Sequence, residues 1–242
     1  MTEKCSDPRL ASVEENYKRI AERVAQAAVR AGRQPQDVTL LAATKTVAPE
    51  YINHAIRCGL RFIGENRVQE LLEKYDRIDF EAGVSAHMIG RLQTNKVKYI
   101  VDKVDCIQSV DSVKLAAEIS RLSEKIGRTM PVLVEVNIGE EPNKGGVLPG
   151  MLEDFLEEIA SLPGIQIDGL MAIPPICAEK TELCNYFSRM RQYFIDIGAK
   201  KIDNVSMNCL SMGMSSDYED AILCGSTMVR VGSALFGQRI YP

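Results

Sequence analysis

Apolar positions recur along this chain in two rhythms. From Ser12 to Ala31 they fall three or four residues apart. Val13, Tyr17, Ile20, Val24 and Ala28 form one stripe, the signature of a helix with a single buried face. Ser12 with Glu15 makes a capping-box pattern at its start, and Gly32 is placed to end it in a left-handed conformation. Beyond Gly32 the rhythm changes to short runs of Val, Ile and Leu. Residues 38–44, 60–64, 84–89, 106–109, 131–137, 165–172, 204–207 and 227–231 read as strands. Helical patterns separate them at 49–58, 67–75, 95–101, 112–126, 152–161, 180–197 and 217–224.

The strand runs are nearly continuous in apolar residues rather than alternating, which indicates a sheet covered on both faces. Residues 37–242 give about 26 residues for each of eight strand–helix units, the size of a βα repeat. The expected fold is therefore α/β, a (β/α)8 TIM barrel with one additional N-terminal helix, in a single domain over residues 1–242. A doubly wound open sheet is the rival, and no Gly-x-Gly-x-x-Gly follows the first strand to support a dinucleotide-binding form of it. The irregular connection 138–150 reads as a functional loop rather than a domain boundary.

Composition narrows the function classes. Lys+Arg 29 against Asp+Glu 33 gives a net charge of −4 without a basic cluster, which disfavours nucleic acid as a partner. No apolar stretch approaches the length of a membrane span, so no membrane partner is expected. Met1-Thr2-Glu3-Lys4 lacks the apolar core of a secretory signal. Seven scattered cysteines (Cys5, Cys58, Cys106, Cys177, Cys184, Cys209, Cys224) include no Cys-x-x-Cys. Reduced thiols in the cytoplasm fit that pattern better than a disulfide frame or a zinc site.

Barrels of this class place their chemistry at the C-terminal ends of the strands. Lys45 ends the first strand. It is either a solvated strand-end lysine or an amine whose partial burial favours the neutral, Schiff-base-forming state. The loops after strands seven and eight are frequent phosphate sites. Ser211, Gly232 and Ser233 fall there, with small residues that admit backbone N–H groups and hydroxyls that add donors. Turn and cap chemistry is the alternative reading of the same residues. A P-loop is absent, which disfavours a nucleoside triphosphate. Strands one and eight are neighbours in a closed barrel, so lysine and phosphate pocket together suggest a phosphorylated aldehyde held covalently. His87 and His54 read as packed or structural histidines, and Lys96 and Lys144 as surface lysines.

Six segments in order carry a resemblance: Thr44-Lys45-Thr46, Phe62 to Glu70 (FIGENRVQE), His87 to Lys96 (HMIGRLQTNK), Gly169 to Pro174 (GLMAIP), Leu210 to Ser215 (LSMGMS) and Val229 to Gly237 (VRVGSALFG). Together they resemble the pyridoxal phosphate homeostasis protein family, itself similar to the barrel domain of alanine racemase. The resemblance implies pyridoxal 5′-phosphate carried as an aldimine on Lys45. It implies further that Ser211, Gly232 and Ser233 hold the phosphate, that Arg230 faces the pyridine nitrogen, that Asn66 lies beside the ring and that Met212 lies near the phosphate side. Asn66 also reads as a helix N-cap. Some relatives carry a second lysine two positions after the Schiff-base lysine. Val47 stands there in this chain, so no transfer role can be carried over to it.

An arginine is effectively always protonated and would keep the pyridine nitrogen unprotonated, leaving the ring a weaker electron sink. The expected function is therefore a cofactor-binding protein of pyridoxal phosphate homeostasis, buffering or delivering the cofactor, with no catalytic residues and apo-enzymes as recipients. The alternative is a pyridoxal phosphate-dependent amino-acid racemase. It would need a second base, which alanine racemase draws from a second domain, and no such domain is expected after the eighth barrel unit. A Schiff-base aldolase for a sugar phosphate is a third reading, but Arg230 would then face no ring nitrogen. A monomer is the default expectation once that second domain is absent.

Overall fold

The computed structural model describes residues 7–237. Eight parallel strands close into one barrel in sequential order. They are β1 (Thr39–Ala43), β2 (Phe62–Glu65), β3 (Ser85–Met88), β4 (Cys106–Val110), β5 (Met130–Val136), β6 (Ile165–Ala172), β7 (Val205–Ser211) and β8 (Met228–Val231). The helices are α1 (Pro8–Arg30), α2 (Pro49–Arg57), α3 (Val68–Lys74), α4 (Val113–Lys125), α5 (Leu152–Ala160), α6 (Lys180–Lys200), α7 (Tyr218–Leu223) and α8 (Ser233–Phe236). This is the (β/α)8 barrel with a leading helix that the apolar rhythm indicates. Closure sets β1 between β2 and β8, with Leu41 opposite both Phe62 and Arg230.

The core lies in two layers. Leu41, Ala43, Ile89 and Met228 pack inside the barrel, and Cys106, Leu133 and Met171 form a second interior group. Larger apolar clusters fill the space between sheet and helices. The α1 stripe is buried at Val13, Ile20, Val24 and Ala28 and packs against α2, α7 and α8. Its C-terminus closes as expected. Gly32 takes φ +72°, and the N–H groups of Arg33 and Gly32 donate to the carbonyls of Ala28 (3.0 Å) and Val29 (2.9 Å), a Schellman motif.

The structure departs from the sequence pattern at three places. First, α1 starts a turn early. Asp7 accepts from the Arg9 N–H and Pro8 occupies the first helical position, a stronger start signal than Ser12–Glu15. Ser12 sits inside the helix, its hydroxyl donating to the Pro8 carbonyl. Second, the expected helix at 95–101 is a 3-10 helix, Thr94–Tyr99. Val97 is its one buried residue, too small an anchor to stabilise regular α turns. Third, β7 runs to Ser211 rather than stopping at Met207. Interleaved Ser206 and Asn208 mask it in the sequence, while ladder pairing with β6 at Leu170 and Met171 carries it on.

No helix of the described residues is long and apolar enough to cross a membrane. Cys58, Cys106, Cys177, Cys184, Cys209 and Cys224 are free thiols. Cys5 and the N-terminal segment Met1 to Lys4 lie outside the described residues.

Candidate functional site

A cavity of about 710 Å³ opens at the C-terminal mouth of the barrel. That volume suits a small-molecule ligand. Successive strand ends supply its wall. Lys45, Thr46 and Val47 follow β1, Asn66 follows β2, Ile89 follows β3 and Ile173 follows β6. Met214, Ser215 and Ser216 come from the loop after β7, Arg230 from β8, and Gly232 and Ser233 from the turn into α8.

The segment carrying Lys45 is fixed from beneath. Lys74 of α3 is buried, and its ammonium donates to the carbonyls of Thr44 (2.9 Å) and Val47 (3.3 Å), which flank Lys45 on either side. The same ammonium pairs with Glu65 at 2.8 Å. Thr44 donates its hydroxyl to the Glu65 carboxylate as well. Burial raises the Glu65 carboxyl pKa, and Lys74 beside it opposes that rise. Thr46 adopts φ +61°, a left-handed conformation rarely taken by a β-branched residue. Its N–H donates to Glu70 at 2.9 Å, so the strained turn is tied to α3 at a second point.

Across β1, Arg230 is 4% exposed. Its Nη1 donates to Ser211 Oγ at 2.7 Å and its Nη2 to the Ala172 carbonyl at 3.0 Å. Burial pulls its pKa down to about 10, with Glu135 opposing, so the guanidinium is cationic at neutral pH. Glu135 itself is pushed up to about 6 by burial, and Asp111 pushes the same way while Arg230 opposes. Below Arg230 a polar chain descends the barrel interior. Ser211 donates to Gln108 Oε1 (2.7 Å), Gln108 Nε2 lies 2.7 Å from His87 Nδ1, and His87 Nε2 lies 3.1 Å from Ser85 Oγ. Burial pulls the His87 pKa down to about 4. The ring is therefore neutral at pH 7. With Gln108 donating to Nδ1, its proton sits on Nε2.

Five of the seven expected site residues meet at the cavity: Lys45, Asn66, Arg230, Gly232 and Ser233. Two do not. Ser211 is fully buried and its hydroxyl is engaged by Arg230 and Gln108, so it lies under Arg230 rather than on the cavity wall. Met212 is fully buried in the core cluster that packs sheet against helices. Both displacements follow from the longer β7. Strand alternation sends Ser211 inward and Leu210 and Met212 outward, so the loop first reaches the mouth at Met214.

Asn66 does not cap α3, whose N-cap is Arg67. Its Oδ1 is buried without a hydrogen-bond partner, an acceptor at the cavity wall that a ligand donor would satisfy. A Cβ at Gly90 would lie 2.3 Å from the Asn66 carbonyl oxygen, so glycine there is what lets the segment after β2 approach β3. A cavity residue that the sequence did not single out is Ser215. Its hydroxyl accepts from the N–H groups of Gly232 (3.1 Å) and Ala234 (3.3 Å), joining the two loops. It lies within the quoted LSMGMS motif, but only the true end of β7 shows that it, and not Ser211, faces the mouth.

The chain matches the model of the alanine racemase N-terminal domain over residues 9–240. It is 44% identical over 227 residues to the pyridoxal phosphate homeostasis protein of Aquifex aeolicus, covering 94% of this chain and 98% of that one. A crystal structure of an unknown protein from Bifidobacterium adolescentis superposes with a TM-score of 0.90 at 38% identity, covering 97% and 98% of the two chains. PipY of Synechococcus elongatus, solved with PLP bound, superposes with a TM-score of 0.78 at 34% identity, covering 90% of this chain and 100% of that one.

Proposed function

The chain belongs to the alanine racemase N-terminal domain family, among the pyridoxal phosphate homeostasis proteins, and from that premise we propose that it holds pyridoxal 5′-phosphate covalently on Lys45 and serves cofactor homeostasis. The observation that carries this reading is the joint placement of Lys45, in the turn after β1, and Arg230, on the paired strand β8, around one mouth cavity. The orphaned Asn66 Oδ1 supports it. When bound, the cofactor supplies an aldehyde that condenses with an amine and a ring that withdraws electrons from it.

The residues of this chain would divide the work as follows. Lys45 presents the amine from a turn that Lys74 and Glu70 hold in place. Arg230, cationic and braced by Ser211, faces the pyridine nitrogen and disfavours its protonation. Ser233 and Ser215 offer two hydroxyls to the phosphate, with Ser215 positioned by the N–H groups of Gly232 and Ala234 and with Gly232 leaving room beside them. Ser211 acts through Arg230, and Met212 acts in packing.

Buffering or delivery fits the site better than racemisation. A racemase needs a proton acceptor on each face of the substrate carbon. Among the described residues lining the cavity, Lys45 is the one side chain suited to that task. Arg9 and Arg230 are permanent cations near neutrality, and the remainder are hydroxyl, amide or apolar groups. On this reading one barrel domain, acting as a cytoplasmic monomer, hands the cofactor to apo-enzymes without nucleic acid or membrane partners. The test is the visible spectrum on adding pyridoxal phosphate, followed by borohydride reduction and peptide mapping. Label on the Lys45 peptide is expected. A protein that develops no imine band, or label confined to other lysines, overturns the proposal. Enzyme-like exchange of the α-hydrogen of amino acids would overturn the carrier role.

A further inference from the structure

Outside the barrel, on the seam between α1 and α2, three metal-ligating side chains converge. Glu14 comes from α1, His54 from α2, and Cys58 is the residue that caps α2. One ligand atom from each lies within 4.8 Å of the others. His54 and Cys58 are four residues apart, so they rise from one helical face, the spacing that lets two side chains grip a single ion. Glu14 reaches the same point because the α1 stripe packs this stretch of α1 onto α2.

Three details mark the cluster as unfinished. His54 Nε2 is buried and has no hydrogen-bond partner. The nearest carboxylate oxygen, Glu14 Oε2, stands 3.6 Å from it, outside hydrogen-bond range. Lys18 holds only the other oxygen, Oε1, at 2.6 Å, so Oε2 is left facing the histidine. A buried imidazole nitrogen that faces a carboxylate at ion-pair distance without a hydrogen bond, with a thiol close by, is an arrangement a cation would complete.

We propose that Glu14, His54 and Cys58 bind one zinc-class divalent ion, with solvent as fourth ligand. Nitrogen, sulfur and oxygen donors together select a borderline-soft ion such as Zn²⁺ over Ca²⁺ or Mg²⁺. A thiolate and a carboxylate supply two negative charges to the ion, with the Lys18 ammonium remaining on the other oxygen of Glu14. Binding breaks the Cys58 S–H bond, passes the proton to solvent and forms the metal–sulfur bond. Tetrahedral zinc places its ligand atoms about 3.5 Å apart. The ligand atoms, within 4.8 Å of one another and with one pair at 3.6 Å, would draw in to that spacing on binding. The ion would pin the extra-barrel helix α1 to α2, the helix that follows the Lys45 turn.

The experiment uses the full chain, stripped with chelator and titrated with Co²⁺ and then Zn²⁺. One equivalent of Co²⁺ is expected to raise a thiolate-to-cobalt charge-transfer band, which Zn²⁺ discharges. Zn²⁺ should also raise the thermal midpoint. Cys58→Ser should abolish the band. His54→Gln and Glu14→Gln should each weaken Zn²⁺ binding by more than about a hundredfold, beyond the roughly 10–100-fold that loss of an outer-shell partner costs. Circular dichroism confirms that each variant folds. Cys184→Ser serves as a control, because Cys224 Sγ lies 3.9 Å from the Cys184 carbonyl and the two thiols are neighbours. The band should survive that change. Absence of the band in the wild type, its persistence in Cys58→Ser, or its loss in Cys184→Ser overturns the proposal.

Discussion

The guanidinium of Arg230 donates to the hydroxyl of Ser211 at 2.7 Å, and that hydroxyl donates in turn to Gln108 Oε1 at the same distance. The serine is a relay with both capacities spent, fixing the plane of the arginine from below. Ser211→Ala should therefore act on stability first. It strands a buried amide oxygen and a guanidinium N–H, a loss of about 1–3 kcal/mol. Denaturant unfolding measures it. Cofactor affinity, read by spectroscopic titration, should fall less than in Ser215→Ala or Ser233→Ala, whose hydroxyls face the cavity. A larger affinity loss in Ser211→Ala would return that residue to the phosphate.

The buried pair of Lys74 and Glu65 makes a sharper prediction. Lys74→Met leaves a buried carboxylate uncompensated and two carbonyls beside Lys45 without their donor. Removing one partner of such a pair costs about 3–5 kcal/mol. Stability should drop by that order, and the rate of covalent capture at Lys45 should fall with it. The double change Lys74→Met with Glu65→Leu should recover much of the stability while capture stays slow, because the carbonyls of Thr44 and Val47 remain unheld. Stopped-flow absorbance after mixing with pyridoxal phosphate separates the two effects.

Acid should weaken the fold through His87. Its folded pKa, about 4, lies below the ordinary 6.5, so between those values the unfolded chain binds a proton that the folded chain refuses. Stability contributed by the neutral ring is present above pH 6.5 and lost as pH falls toward 4, up to about 3 kcal/mol. Glu135 works in the opposite sense. Its folded pKa of about 6 exceeds 4.5, so the folded chain gains a proton first and recovers about 2 kcal/mol between pH 6 and 4.5. His87→Gln should flatten the acid side of the stability profile, and Glu135→Gln should steepen it. Urea unfolding at pH 7 and pH 4.5 on each variant reads the difference.

Gly90→Ala tests the placement of Asn66. The added methyl would lie 2.3 Å from the Asn66 carbonyl oxygen, so the segment after β2 must move. Overpacking of this kind costs about 1–3 kcal/mol. Cofactor affinity should fall together with stability, and Asn66→Ala should lower affinity with little change in stability. An unaltered affinity in Gly90→Ala would remove Asn66 from the binding surface.

How far the sequence carried depended on what each segment buries. The strand Ile165–Ala172 was legible to the residue, because Ile165 and Ile167 alternate with partly buried Gln166 and Asp168 before the fully buried end Gly169–Ala172. The Schellman end of α1 was legible because Gly32 is a local signal. β7 was not, since five of its seven residues are only partly buried or exposed and its pairing comes from distant β6 and β8. That one boundary moved Ser211 and Met212 off the cavity and hid Ser215. Lys74 escaped notice for a similar reason. A lysine in a helical pattern reads as solvated, and only the closed barrel shows its ammonium beneath the Lys45 turn.

Closure of the barrel by β8 against β1 also orders events in time. The amine and its turn belong to the first strand made, while Arg230, Gly232 and Ser233 arrive with the last. A nascent chain, or a fragment lacking β8, presents Lys45 without the guanidinium or the second loop. With the site as proposed, retention of the ligand would gauge completed folding, and a chain caught halfway through synthesis would lack the second wall needed to sequester a reactive aldehyde.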